Sequence, residues 1–270
     1  MVSGTLCGVT RPIVVAHAGA SGHAPANTLG AYRRAHATYP GCWMEFDAQF
    51  SADDQLIAIH DDTLDRTTSG SGHVADFTVA QLREFDASKG YDGWGFEPVV
   101  TVRDILGEGR DGGWNIICEV KNIPGQRRFD QTGERYAEAL CALFDETSFP
   151  LERIVVICFW APTLDEIKKR NDRVALGFLS THQLPGGRAG LSAEQNANLC
   201  RENGYHVSAP YHGTPDLTAE HVQQCRADGI QVHVWTTNEP DDIDRAVAKD
   251  LDGITSDYPE RVYAALGRPL

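Results

Sequence analysis

The sequence lacks the features of nucleic-acid-binding and membrane-spanning proteins. It contains no run of more than three lysine or arginine residues, and 38 acidic residues against 24 basic ones give a formal net charge of −14. This balance argues against a nucleic acid partner and against adhesion to an anionic membrane surface. No apolar run approaches the roughly 18–20 residues that an integral membrane helix needs. We therefore expect a small-molecule substrate, no nucleic acid partner and no integral membrane segment.

The sequence also has little that indicates a secreted protein. Its seven cysteines are scattered and include no CxxC pair, which favours reduced, buried thiols over disulfides. The opening residues, MVSGTLCGVTRPIVV, show no charged segment followed by the apolar segment of a signal peptide. These two observations predict a cytoplasmic location. The oligomeric state stays open.

Length and pattern favour one large α/β domain. The chain has 270 residues, and its apolar runs of strand length alternate with helical patterns almost throughout. This order is typical of a parallel sheet with helices between its strands. No composition break marks a linker, so residues 1–270 are predicted to form a single domain. The predicted strands are 13–17, 43–48, 115–121, 154–159, 174–179, 206–209, 231–236 and 253–255.

One further apolar run, residues 56–60, follows the second strand too closely for a parallel crossover, which needs about a dozen residues. It is therefore predicted to fold back as an antiparallel hairpin. Eight strands remain, the number that closes a TIM (β/α)8 barrel. Residues 61–111 then form a small insertion after the second strand, which we expect to lie over the barrel mouth. Asn27 is interpreted as a cap of the first helix that also orients the first loop.

The second strand carries two acids in an apolar stretch, WMEFDAQF. Glu45 and Asp47 are two positions apart, so both side chains point to the same face of the strand. Two adjacent buried carboxylates are costly unless a positive charge neutralises them. A salt bridge to Lys121 or Arg66 would suffice, but a hard divalent cation is the stronger candidate.

Other reactive side chains stand at predicted strand ends, where the catalytic groups of a barrel gather. Glu119 and Lys121 end the third strand, and His17 ends the first. His60 ends the hairpin, and Trp235 lies near the end of the seventh strand. Carboxylates, histidines and a lysine at one mouth fit metal-assisted attack on a phosphate ester, with one histidine as base and the other as acid.

At these residues the sequence resembles the glycerophosphodiester phosphodiesterase family. The shared motifs are, in order, HAGA from 17, PANT from 25, EFD from 45, HDDTLDRTT from 60, EVK from 119, VWT from 234, DGI from 252 and DYP from 257. Their order and spacing make the resemblance specific over nearly the whole chain. The resemblance implies a phosphatidylinositol-phosphodiesterase-like TIM barrel that hydrolyses glycerophosphodiesters to glycerol 3-phosphate and an alcohol, a step in lipid and glycerol metabolism.

The same resemblance implies roles for individual residues. Glu45, Asp47 and Glu119 match the ligands of one divalent cation, Mg²⁺ or Ca²⁺. His17 and His60 match the catalytic acid/base pair. Two further positions match substrate-binding residues: Lys121 as a phosphate contact and Trp235 as an aromatic wall.

One position departs from the family pattern. The family usually has His-Arg-Gly where this chain has His17-Ala18-Gly19, so a charged phosphate contact is missing. Losing one such preorganised donor typically costs about 10²–10³ in rate. Another cation could compensate, with Lys121 the nearest candidate and Arg66 a poorer one. The alternatives are action on a lysophospholipid or sphingomyelin-like head group, or a catalytically impaired protein that binds phosphodiesters.

Overall fold

A computed structural model describes residues 11–184 and 188–270, which form a closed parallel β-barrel with helices around it. Eight strands are hydrogen-bonded in sequence order, and β1 pairs with both β11 and β2 to close the ring. The predicted TIM barrel is confirmed. The barrel strands are β1 (Ile13–Ala16), β2 (Trp43–Phe50), β4 (Asn115–Val120), β5 (Ile154–Cys158), β6 (Ala175–Ser180), β9 (Val207–Pro210), β10 (Gln231–Val234) and β11 (Gly253–Ser256).

Helices follow the barrel strands, and several begin at a hydroxyl side chain that accepts a hydrogen bond from the first turn. Thr28, Thr101, Ser192 and Thr218 are such caps. The helices are α1 (Leu29–Thr38), α2 (Val79–Leu82), α3 (Val102–Gly112), α4 (Glu134–Thr147), α5 (Ala161–Arg170), α6 (Ala193–Asn203), α7 (Ala219–Ala227), α8 (Pro240–Ala248) and α9 (Pro259–Ala265). Two short strands, β7 (Gln183–Leu184) and β8 (Arg188–Ala189), pair after β6.

The hairpin after β2 is confirmed. Strand β3 (Leu56–Ala58) pairs antiparallel with β2, with Phe50 opposite Leu56 and Ala48 opposite Ala58. Beyond β3, the backbone N–H of Ile59 donates to the carbonyl of Asp47 at 3.0 Å. The hairpin therefore returns the chain to the carboxyl end of β2 and places His60 beside the barrel mouth.

The segment 61–111 divides into two parts. Its first part packs on a separate apolar cluster that includes Ile57, Leu64 and Leu82. Its last ten residues belong to α3, whose Ile105 and Leu106 are buried in the main core between barrel and helices. Those residues thus belong to the outer helix layer of the barrel, because the capping box at Thr101 and the apolar face of α3 make them a regular barrel helix.

Because side chains alternate between the two faces of each strand, the buried apolar residues form two layers. One lies between sheet and helices, and a smaller one fills the barrel interior around Val15, Trp43 and Ile117. Trp43 faces the interior, so Glu45 and Asp47, at two and four positions further, face it too. The core therefore ends where the acidic side chains begin.

Two other expectations concern the described part of the chain. None of its helices is both long and apolar enough to cross a membrane. Its six cysteines are free thiols, and all except Cys141 are buried. Cys7 lies outside the described residues.

Candidate active site

Three carboxylates meet at the carboxyl ends of β2 and β4. The two strands are in register, with Asp47 opposite Glu119. One oxygen from each of Glu45, Asp47 and Glu119 lies within 4.8 Å of the others. The sequence predicted this group of acids, and the structure brings it together.

Two oxygens of this cluster are unsatisfied. Glu45 Oε1 and Asp47 Oδ1 are buried and have no hydrogen-bond partner among residues 11–184 and 188–270. Burial and the neighbouring Asp47 raise the pKa of Glu45 to about 8. Three carboxylates thus lie close together with too few hydrogen-bond donors around them. Such a cluster fits a hard divalent cation, which takes carboxylate oxygens as ligands and stabilises their ionised forms.

Lys121 neutralises part of this negative charge. Its Nζ donates to Glu119 Oε1 at 2.8 Å and lies 3.3 Å from Asp47 Oδ1, though not in hydrogen-bonding alignment with the latter. Burial of the ammonium lowers its pKa, but Glu119 and Asp47 outweigh this effect and raise it. The lysine is therefore held in its charged form at the edge of the acidic cluster.

His17 is oriented by Asp257, the residue that follows β11. The His17 Nδ1 and Asp257 Oδ1 atoms are 2.6 Å apart, and His17 Nε2 lies 3.9 Å from Glu45 Oε2. Burial lowers the pKa of His17, but the bond to Asp257 and the charges of Glu45 and Asp47 outweigh it and raise the pKa to about 9. Ser21 and Asn238 also donate to Asp257 and fix its carboxylate.

His60 has a matching arrangement on the other side. Its Nδ1 lies 2.8 Å from Asp61 Oδ1, and Arg66 holds the same carboxylate through Nε at 2.6 Å and Nη2 at 2.9 Å. Arg66 thus serves as a partner of Asp61. In each histidine the bond at Nδ1 leaves Nε2 as the remaining nitrogen for proton transfer.

A cavity of about 310 Å³ opens above the acidic cluster. The His17 and His60 rings contact it from neighbouring positions, with centroids 6.4 Å apart. Trp235 also borders it, held by a hydrogen bond from its Nε1 to the Ala209 carbonyl and by edge contact with Phe159. The cavity therefore has a charged side, and it has an apolar side formed by Ile117, Ile123, Ile157, Phe159, Leu179, Ala209, Val234 and Trp235.

The interpretation of Asn27 as a helix cap is wrong. Thr28 is the cap of α1, and its hydroxyl accepts from Ala31 N–H. The side chain of Asn27 instead donates from Nδ2 to Asp47 Oδ2 at 2.8 Å and accepts the backbone N–H of Asp47. Asn27 has a φ of +61°, which asparagine tolerates better than most residues, and this turn directs its side chain towards β2.

Ala18 contributes to the site through its backbone. Its N–H donates to Glu45 Oε2 at 2.9 Å, and its side chain is buried. In the part of the chain that the structure describes, the residues lining the cavity include Lys121 as the only lysine or arginine. Lys121 is already bonded within the carboxylate cluster, so the described site has no second permanent cation at the cavity wall.

Two further residues of the site were not predicted from the sequence, although their positions at the ends of barrel strands could have indicated them. Asp257 follows the last barrel strand directly and belongs to the DYP motif. His233 stands two positions before Trp235, on the same interior face of β10, and borders the cavity. Burial lowers the pKa of His233 to about 4, so its imidazole is neutral.

A TIM barrel with an acidic cluster at its mouth fits the class of phosphoric diester hydrolases. Residues 17–261 match the model of the glycerophosphoryl diester phosphodiesterase family, and the chain belongs to that family. The match spans the site and nearly all of the described barrel.

Individual relatives and solved structures extend this comparison. The chain is 28% identical to a glycerophosphodiester phosphodiesterase from Caldanaerobacter subterraneus, over 93% of this chain and 96% of the relative. A glycerophosphodiester phosphodiesterase from Bacillus subtilis is 28% identical, over 95% and 87% of the two chains. A phosphodiesterase from Oleispira antarctica, solved in complex with the product sn-glycerol-3-phosphate, is 24% identical, with a TM-score of 0.80 over 95% and 97% of the chains. This last likeness shows the shared fold.

Proposed function

We propose that the protein is a metal-dependent hydrolase that converts a glycerophosphodiester to glycerol 3-phosphate and an alcohol. The observation that carries this proposal is the pair of unsatisfied buried oxygens, Glu45 Oε1 and Asp47 Oδ1, beside Glu119 beneath an open cavity. The names of the relatives, which cover nearly the full chain, support the substrate class.

Glu45, Asp47 and Glu119 would hold one divalent cation, Mg²⁺ or Ca²⁺. When bound, such an ion supplies positive charge that stabilises the phosphate oxygens in the transition state. Lys121, 2.8 Å from Glu119, is placed to add a second positive charge near the same oxygens. The uncharged parts of the substrate would contact the apolar side of the cavity, where Trp235 forms an aromatic wall.

His17 and His60 form the proposed acid/base pair. Each is oriented at Nδ1 by a carboxylate, Asp257 or Asp61, and each ring borders the cavity. Their ring centroids are 6.4 Å apart, so both rings can contact one phosphate group bound in the cavity. One histidine then takes the proton of the attacking oxygen, and the other gives a proton to the leaving alkoxide.

The test is release of glycerol 3-phosphate from a panel of glycerophosphodiesters. EDTA should abolish release, and Mg²⁺ or Ca²⁺ should restore it. His60→Ala should remove turnover but keep divalent-cation affinity, since His60 does not belong to the carboxylate cluster. His36→Ala on α1 is the matched control and should retain activity. Full activity in chelator would contradict the metal dependence, and near-normal turnover of His60→Ala would contradict its role.

A specific observation favours a second candidate, a catalytically impaired protein that binds phosphodiesters. Ala18 stands where the family pattern has arginine, and the one lysine at the described cavity wall already pairs with Glu119 and Asp47. Ala18→Arg separates the two candidates. A rise of orders of magnitude from near-zero turnover supports the impaired protein, whereas a change below about tenfold supports an enzyme that handles phosphate charge with the groups it has.

The aromatic stretch at 88–96 bears on lipid substrates. Trp94 lies over α1, with its ring 5.8 Å from the Arg34 guanidinium carbon, and Tyr91 bonds to the Ser21 carbonyl. Phe96 is exposed, and none of the three borders the catalytic cavity. This arrangement supports small glycerophosphodiesters over lysophospholipids or sphingomyelin-like head groups. The free, mostly buried cysteines support the proposed cytoplasmic location.

A further inference from the structure

A second cavity, of about 260 Å³, lies between α8 and the loop that follows β9. Asp242 and Arg245 on α8 and Lys249, the residue that caps its carboxyl end, line one side at spacings of three and four positions. The other side includes His212, Thr214, Val234 and Leu251. No residue of the acidic cluster or the histidine pair takes part.

The charges at this cavity favour an anion. Asp242 is already engaged, since it accepts from Arg245 and lies 3.6 Å from His212 Nδ1. Lys249 has no carboxylate oxygen within 4 Å among the residues that the structure describes, although its side chain is partly buried. Two cations against one carboxylate leave a local positive excess in a chain whose net charge is −14.

A buried hydroxyl in the same cavity lacks a partner. Thr214 is 3% exposed, and its Oγ1 makes no hydrogen bond within residues 11–184 and 188–270. A buried polar group left unpaired destabilises the fold unless a ligand or another group bonds to it. The loop is fixed by hydrogen bonds from Thr214 N–H to the Tyr211 carbonyl and from His212 N–H to the Trp235 carbonyl. The hydroxyl thus stays without a hydrogen-bond partner on a loop whose backbone is fixed beside the cavity.

We propose that this cavity is an accessory site for a phosphate group. Its oxygens would accept hydrogen bonds from the Lys249 ammonium and the Thr214 hydroxyl, while the Arg245 guanidinium adds positive charge. The apolar inner wall of Val234 and Leu251 limits the space for water around the anion. Inorganic phosphate and a phosphate monoester present the same chemistry, so the ligand is either of these. The site does not depend on the catalytic proposal.

Histidine ring NMR signals of the metal-loaded, full-length protein test this proposal, because His212 reports the accessory cavity and His17 and His60 report the catalytic one. Inorganic phosphate and glycerol 3-phosphate are titrated in parallel. A shift of the His212 signal that saturates with either ligand supports the site. The ligand that reaches saturation at the lower concentration shows whether the site prefers inorganic phosphate or a phosphate monoester. No shift of His212 with either ligand would overturn the proposal.

Three variants make the result specific. Thr214→Val removes the hydroxyl at nearly constant volume, and Lys249→Met removes the ammonium. Each should weaken phosphate binding at His212 by about tenfold, the effect expected for one hydrogen bond to a charged group. Lys169→Met on α5 makes the same change in net charge away from the cavity and should leave binding unchanged. Equal affinity in all three variants and the parent protein would contradict the proposed contacts.

Discussion

Asn27 forms two hydrogen bonds with Asp47: its Nδ2 donates to Asp47 Oδ2 at 2.8 Å, and its Oδ1 accepts the Asp47 backbone N–H at 3.1 Å. The loop after β1 is thereby tied to the acidic cluster on β2. The second contact also fixes the strand backbone at the residue that carries the carboxylate. Asn27 thus orients a proposed metal ligand without being one.

Asn27→Ala should lower the affinity for Mg²⁺ or Ca²⁺ by about 10–100-fold, the usual effect of removing a group that orients a ligand. Titration calorimetry of the metal-free protein measures this change. Tyr32→Phe is the control, since it removes only the bond from the Tyr32 hydroxyl to Asn27 Oδ1 and keeps both contacts to Asp47. Equal metal affinity in Asn27→Ala and the parent protein would show that Asp47 needs no such support.

Asp257→Asn should lower kcat by about 100-fold or more, because an uncharged amide no longer stabilises the protonated ring of His17. The same change should lower the pKa of His17 and move the corresponding limb of the pH–rate profile to lower pH. Ser21→Ala is the control, since it removes one donor to Asp257 Oδ1 and keeps the His17 contact. A fall in kcat with an unshifted pH profile would indicate a structural role for Asp257 alone.

The metal-free protein should lose stability as pH rises from about 6.5 to 9, above the range in which the lowered pKa of His233 has the opposite effect. Burial raises the pKa of Glu45 to about 8 in the fold, and that of His17 is raised to about 9. For both groups the folded protein binds the proton more tightly than the unfolded chain. Their stabilisation is therefore complete below the unfolded pKa values and is lost as pH rises through the folded ones.

Thermal unfolding in EDTA across this pH range measures the effect. Glu45→Gln should flatten part of the slope, since its amide carries no titrating proton. Added Mg²⁺ or Ca²⁺ should stabilise the parent protein more at pH 8 than at pH 6, because the ligands must be deprotonated to bind. A stability that rises from about pH 6.5 to 9 in EDTA would contradict the raised pKa values.

Trp235→Ala should raise KM for a glycerophosphodiester by roughly tenfold, since it removes a large part of the apolar cavity wall. The effect on kcat should be smaller, because among the described residues the ring bonds to the Ala209 carbonyl and packs on Phe159 and Tyr211. Steady-state kinetics separate the two constants. Trp94→Ala, a tryptophan change outside the cavity, should leave KM unaltered; a similar rise there would point to a general loss of stability.

Local patterns were sufficient for the barrel and for much of the site. Strand runs at regular intervals predicted eight parallel strands, and the short spacing before residues 56–60 predicted the antiparallel hairpin. Two-residue spacing placed Glu45 and Asp47 on one face because side chains alternate along any strand. These features depend on neighbouring residues alone, so a sequence displays them directly.

The bounds of the insertion after β2 were harder to predict from the sequence. Residues 102–111 were grouped with the excursion over the barrel mouth, whereas they form most of α3 in the helix layer. The amphipathic pattern of Ile105 and Leu106 was present in the sequence. The surface they cover becomes defined only when β2 and β4 are paired.

The sequence by itself determined the barrel, the side of β2 that carries the acids, and the residues at the strand ends. Tertiary structure alone decided that Asp257, 240 positions after His17, orients its ring, and that Asn27 holds Asp47 instead of capping α1. It also decided that Lys121 pairs with Glu119 and Asp47, while Glu45 Oε1 and Asp47 Oδ1 accept no hydrogen bond from the described residues. Such contacts form between segments distant in the chain, and only barrel closure brings those segments within hydrogen-bonding distance.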